Sequence, residues 1–284
     1  MRLVTDQGGT DATRLQSRVC AVRTDGATEV RFAFGDNWRH FLRGLSPERI
    51  ARAEQWFRTM LDRERLDGVR MLDIGSGSGL SSLVGWRLGA LVRSFDFDPL
   101  SVACTAELQR QFAPGDERWV VEQGSALDEA YLASLGAFDL VYSWGVLHHT
   151  GAMWRAIELA CGRVAIGGVF WLALYNDQGW ISDYWHGVKR LYNRGLAGRM
   201  AMTAAHAPYL LGVRATVRAA QGRLALERGM DLWHDMRDWL GGMPFEVARP
   251  SDVVVRLGDW GFRLEREVLC GGRHGCNEFV FRRG

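Results

Sequence analysis

The sequence predicts a doubly wound α/β fold, on three observations. Residues 69–74 form an apolar run that breaks at Gly75-Ser76-Gly77-Ser78-Gly79, the pattern of a buried strand turning into a helix. From there to residue 175, short apolar strands alternate with helical stretches, as a parallel sheet with crossover helices requires. The second such strand ends in Asp96-Phe97-Asp98-Pro99, at the distance of roughly 20 residues from the loop that places an acid beside a bound ribose.

The loop is the organising stretch. Glycine accepts positive φ in the turn and lets a ligand press against the backbone. Amides at the start of the next helix then face that ligand. Such a loop suits a dinucleotide or S-adenosylmethionine (SAM). The blocks Leu72-Asp73-Ile74-Gly75-Ser76-Gly77-Ser78-Gly79, Phe95-Asp96-Phe97-Asp98-Pro99 and Phe138-Asp139-Leu140-Val141-Tyr142-Ser143-Trp144-Gly145-Val146-Leu147-His148-His149 resemble the class I SAM-dependent methyltransferases. A dehydrogenase would usually carry Gly-x-Gly-x-x-Gly instead. The resemblance covers residues 68–175 well and the C-terminal end moderately. It implies a Rossmann-like seven-stranded sheet of order 3-2-1-4-5-7-6 with strand 7 antiparallel. It also implies a cofactor site of Asp73, Gly75, Ser76, Gly77 and Gly79 at the methionine end, Asp96 at the ribose, and Phe97 and Trp144 at the adenine.

Taken in order, residues 1–67 read as an N-terminal arm and lid. Residues 1–30 are polar, with a short strand expected near 18–22. An aromatic cluster follows at Phe32, Phe34 and Trp38; it either pins a helix to the core or closes over the cofactor, as such segments do in the resembling family. In the second reading Trp38 faces the sulfonium by cation–π attraction and Asn37 meets polar atoms of the substrate. Ser46-Pro47-Glu48 starts a helix expected to reach residue 65, with Ser46 as N-cap.

Residues 68–177 form the core. Its strands are expected at 69–74, 90–96, 118–123, 138–143 and 169–175, and its helices at 79–88, 99–111 and about 152–163. After the third strand, relatives often carry Gly-Asp-Ala, whose acid receives the adenine amino group. This chain has Gly124-Ser125-Ala126, so Ser125, the Ala126 amide or Asp128 stands in for that contact. The fourth strand opens through Ser143 and Trp144 into His148-His149, in the crevice where such sheets bind ligands. One of these imidazoles is a candidate base for a hydroxyl or amine attacking a methyl group, because its unperturbed pKa lies near neutrality. The Val-Leu-His-His pattern is similar to that of ubiquinone-biosynthesis-type and sugar O-methyltransferases. Tyr175, Asn176 and Asp177 end the fifth strand in the same crevice. Tyr175 is a candidate acid, base or stacking surface, and Asp177 orients a histidine or caps the next helix.

Residues 178–245 are too long for a simple crossover and read as a helical cap on the substrate side. Trp180, Tyr184, Arg228, His234 and Asp235 are its candidate substrate contacts. Residues 246–284 complete the core, with a helix capped by Ser251 and a hairpin of strands 262–269 and 276–282.

Composition excludes several classes. With 35 basic and 33 acidic residues there is no basic face for nucleic acid, and no Asn/Asp-Pro-Pro-Tyr-type motif follows the fourth strand. No apolar stretch is long enough to span a membrane or serve as a signal peptide. Five cysteines without a Cys-x-x-Cys pair suit reduced thiols in the cytoplasm, and Cys270, His274 and Cys276 do not make a four-ligand metal site. The expectation is a cytoplasmic monomer or homodimer that methylates an oxygen or nitrogen of a small molecule. Two rivals share the fold: a SAM-cyclising enzyme that releases methylthioadenosine, and a non-catalytic SAM-binding subunit.

Overall fold

A computed structural model of the protein describes residues 19–24, 27–32, 45–213, 232–271 and 275–284. The short strand expected near residue 20 is half of a hairpin, Val19–Thr24 (β1) paired antiparallel with Ala27–Phe32 (β2).

Helix Pro47–Leu61 (α1) has Ser46 at its N-cap in extended conformation and Pro47 in its first turn. It stops short of residue 65 because Asp62 turns left-handed, at φ 52°. Its apolar face, Ile50, Phe57 and Met60, is buried.

The core follows the predicted alternation: Arg70–Ile74 (β3), Leu80–Arg87 (α2), Leu91–Asp96 (β4), Pro99–Phe112 (α3), Trp119–Gln123 (β5), Glu129–Ser134 (α4), Phe138–Trp144 (β6), Met153–Cys161 (α5) and Val164–Tyr175 (β7). The sheet has seven strands in the order β5-β4-β3-β6-β7-β9-β8, where Phe262–Val268 is β8 and Cys276–Arg283 is β9. Only β9 runs antiparallel to its neighbours, which gives the expected order. The chain reverses its winding between β3 and β6, so the crevice opens above their carboxyl ends. β7 starts five residues before the expected 169, because Val164 already pairs with Phe138 ahead of an irregularity in the ladder.

Alternation along β7 divides the core. Phe170, Leu172 and Leu174 pack with Ala156 and Ile157 of α5 on one face. Trp171 packs on the other with Phe57 of α1 and Leu83 of α2. Helices Trp180–Tyr192 (α6), Leu196–Ala207 (α7) and Leu232–Gly241 (α8), with a π-helical turn at Pro208–Val213, gather around a separate small core of Trp185, Val188, Tyr192, Leu210, Met236 and Leu240. Helix Pro250–Asp259 (α9) is capped by Arg249 rather than Ser251. Pro250 holds the first helical position, so the cap moves to the residue before it.

Candidate functional site

Gly75, Gly77 and Gly79 all adopt positive φ, at 77°, 55° and 82°. At Gly75 a Cβ would stand 2.4 Å from the Val146 side chain, so the turn carrying the histidines is seated directly on the loop. At Gly79 it would meet the Thr105 backbone at 2.9 Å. The amides of Gly75 and Ser76 both donate to the Phe95 carbonyl, at 2.9 and 3.0 Å. Gly75→Ala is expected to cost at least about 1–2 kcal/mol from backbone strain alone, read as a lowered Tm.

Asp96 is bound into this loop. Its Oδ2 accepts the Gly77 N–H and its Oδ1 the Asp98 N–H, both at 2.9 Å. Burial pushes its pKa up to about 6. Asp98 caps α3 through the Leu100 N–H, so the two acids of Asp-Phe-Asp do different work.

Asp73 differs from expectation. It is fully buried under the loop and accepts the Ser82 hydroxyl at 2.5 Å. Ser82 and Ser94 are 2.7 Å apart, and the Trp119 indole donates to Ser94 at 2.9 Å. With Asp73 ionised, every donor in this chain points toward its carboxylate, which binds β3, β4, β5 and α2 together. Burial pushes its pKa up to about 7, above the ordinary 3.8. Between about pH 4 and 7 the folded chain therefore holds a proton that the unfolded chain releases, so this group favours folding more as pH falls through that window. Asp73→Asn is expected to flatten that part of the Tm–pH profile, measured by thermal denaturation from pH 4 to 8.

Around the adenine position, Phe97 is partly exposed at the end of β4. Ser125 accepts the Leu127 N–H at 3.2 Å beside the nearly buried Ala126. Asp128 is committed as the N-cap of α4, accepting the Tyr131 N–H. Trp144 is half-buried against the α1–α2 face. Ser143 is fully buried and donates to the Ile74 carbonyl at 3.1 Å; it joins β6 to β3 instead of facing the crevice.

The histidines occupy a 3-10 turn, Leu147–His149, directly above β6. Their hydrogen bonds fix opposite tautomers. His148 is fully buried and its Nδ1 accepts the Tyr175 N–H at 3.3 Å, so the hydrogen of the neutral ring is on Nε2. The Tyr175 ring lies 3.9 Å from it, centroid to centroid. His149 Nδ1 lies 2.6 Å from the Pro244 carbonyl, which can only accept, so Nδ1 carries the hydrogen and Nε2 the lone pair. Burial, with Lys189 adding to it, pushes the His149 pKa down to about 4 and keeps the ring neutral.

The segment after α8, the end of the expected cap, closes over this turn. The Glu246 N–H donates to the His148 carbonyl at 3.0 Å, and its carboxylate accepts the Met153 N–H at the start of α5. Phe245 and Trp239 pack on Tyr175 at 5.5 and 5.6 Å. Lys189 is fully buried, bonds the Trp239 carbonyl and lies 4.7 Å from the Trp239 and Phe245 rings. A cation at the carbonyl end of α8 is well placed.

Other expected residues fall elsewhere. Asp177 pairs with Arg249 at 3.2 Å and accepts the Gly179 N–H, an anchoring role rather than one on the histidines. Asn176 accepts from Asn277 at 2.9 Å. Trp180 is 76% exposed, and Tyr184 bonds His206 at 2.7 Å; both lie on the outer face of α6, whose helical period turns Trp185, Val188 and Tyr192 inward. Trp38, Asn37 and Arg228 lie outside the described residues, as do the side chains of His234 and Asp235. A hollow of about 320 Å³ opens at the amino ends of β3, β6 and β7, far from the loop and histidines; its Arg282 and Asp139 are already engaged by Glu265 and the Arg70 amide.

Loop, acid and histidine turn stand together above the carboxyl ends of β3, β4 and β6 on this sheet. Residues 72–172 match the methyltransferase-domain family. The ubiquinone biosynthesis O-methyltransferase of Methylobacterium sp. (strain 4-46) is 32% identical over 120 residues, covering 42% of this chain and 46% of that protein. Its counterpart in Methylobacterium nodulans is 31% identical over 112 residues, covering 39% and 43%. The chain thus spans less than half the length of these curated relatives. The magnesium protoporphyrin IX methyltransferase of Synechocystis PCC 6803, solved with bound S-adenosylhomocysteine (SAH), shares the fold at a TM-score of 0.52 and 17% identity, covering 88% of this chain and 94% of that one. Among the described residues no helix is long and apolar enough to cross a membrane.

Proposed function

We propose that this protein is a SAM-dependent methyltransferase that methylates an oxygen or nitrogen of a small molecule in the cytoplasm, as a monomer or homodimer, with His149 as the base. One observation carries the reading. The Nδ1–H of His149 is held on Pro244, which fixes the neutral tautomer with its lone pair on Nε2, on a turn whose Val146 packs against the glycine loop.

The residues present fit SAM. Each Asp96 oxygen holds one backbone N–H and keeps lone pairs for the vicinal hydroxyls of a ribose. Phe97, Ala126 and Trp144 offer apolar surface for the adenine, and the Gly75–Gly79 turn admits the methionine end closely. When bound, SAM supplies a methyl group on a positively charged sulfur. The chain's own part is alignment and proton removal. His149 Nε2 accepts the proton of the attacking hydroxyl or amine, while His148, Tyr175 and Phe245 hold the ring and exclude water.

Mass spectrometry of the protein incubated with methyl-deuterated SAM, with and without a small-molecule extract of the source cells, tests this. SAH and a deuterated product appearing only with extract support methyl transfer. Methylthioadenosine formed from SAM alone, above a heat-killed control, overturns it in favour of SAM cyclisation or cleavage.

A further inference from the structure

Strand register brings one more group to the crevice. Trp144 pairs with Ala173, and Ala173 pairs with Glu278, so the three side chains share one face at the same level of the sheet. Tyr142, Trp171 and Val280 form the row beneath. Glu278 therefore stands two strands from Trp144, about 10 Å away. That is on the far side of β7 from the glycine loop and beyond the reach expected of the cofactor's ribose contact.

The Glu278 carboxylate is half-buried. Its Oε2 accepts two indole N–H groups, from Trp171 of β7 and Trp56 of α1, both at 3.2 Å. Among the described residues no arginine or lysine pairs with it. An anchor for two indoles needs only a neutral oxygen, which a glutamine amide supplies equally well. A half-buried carboxylate with no described countercharge sets up a negative field at the mouth of the crevice, which attracts a cation.

We propose that Glu278 is the subsite for a protonated amine on the methyl acceptor, so that the substrate class is an amine-bearing molecule held by its ammonium group. The inference rests on the methyltransferase reading for the words methyl acceptor; the amine site itself does not. An ammonium at this carboxylate would place the rest of the acceptor along the Ala173 floor, toward Trp144 and the histidine turn. The indoles hold the carboxylate in place beforehand.

The test uses 2-phenylethylamine and its uncharged counterpart 2-phenylethanol, titrated calorimetrically into the full chain with and without SAH. The wild-type protein is expected to bind the amine about tenfold more tightly than the alcohol. Glu278→Gln is expected to abolish that preference, with Tm and SAH affinity unchanged because the amide oxygen still serves both indoles. Equal affinities in the wild type, no amine binding up to about 10 mM, or a preference that survives in Glu278→Gln would each overturn the proposal. Failure of the wild type to bind SAH would instead count against the methyltransferase reading, while the titration without SAH still decides the amine site.

Discussion

His149→Ala is expected to lower turnover by about 10²–10⁴-fold, the usual contribution of a positioned general base, while SAH affinity measured by calorimetry changes by less than about twofold. The reason is the asymmetry of the pair. His149 carries its lone pair on Nε2 because Pro244 fixes its hydrogen on Nδ1. His148 spends its Nδ1 lone pair on the Tyr175 amide and is sealed beneath that ring. His148→Ala is therefore expected to act on stability, by about 2–4 kcal/mol for a buried ring removed with its hydrogen bond, and to lower Tm. Equal loss of turnover in both variants at unchanged Tm would contradict this division.

Asp96→Ala is expected to weaken SAH binding by about 10²-fold or more, since two hydrogen bonds to a carboxylate are lost, each worth about 1.5–3 kcal/mol. The pH dependence has a definite sign. Burial raises this carboxyl to about 6, so it is charged above that value and neutral below it. Ribose hydroxyls donate to the charged form. Affinity is therefore full above about pH 7 and falls as pH drops through 6, approaching tenfold per unit below it. Asp96→Asn is expected to bind weakly with no such slope. His149, held near 4, places its own acid limb well below that of cofactor binding. At saturating SAM, turnover is thus expected to stay level through the range where affinity declines.

The sheet was legible because its signals are local. Glycines at 75, 77 and 79 mark positions that need positive φ, and Asp96 ends its strand at the required distance. The histidine turn was legible for the same reason, since it follows its strand without a break. What separates the two histidines was not, because it depends on Pro244, 95 residues away. The contacts of Glu246 and Lys189 were not legible for the same reason: their partners, the α5 amide and the Trp239 carbonyl, lie in distant segments. Trp180 and Tyr184 looked like substrate contacts because aromatic residues stood out in the cap, whereas helical period assigned the inward face to Trp185, Val188 and Tyr192. Asp73 and Ser143 belong to the motifs in sequence but lie under the crevice, where one receives a chain of hydroxyls and the other fastens two strands. Asp177 was drawn away by Arg249, a contact that only the fold creates.

The most direct test of the account is the tautomeric state of the two histidines, read from nitrogen-15 shifts and long-range proton–nitrogen correlations at pH 7 in protein labelled at histidine, with His148→Gln and His149→Gln for assignment. Two neutral rings of opposite type are expected, His149 with its hydrogen on Nδ1 and His148 with its hydrogen on Nε2. A His149 protonated on Nε2, or charged at that pH, would leave no lone pair for the acceptor's proton and would contradict it.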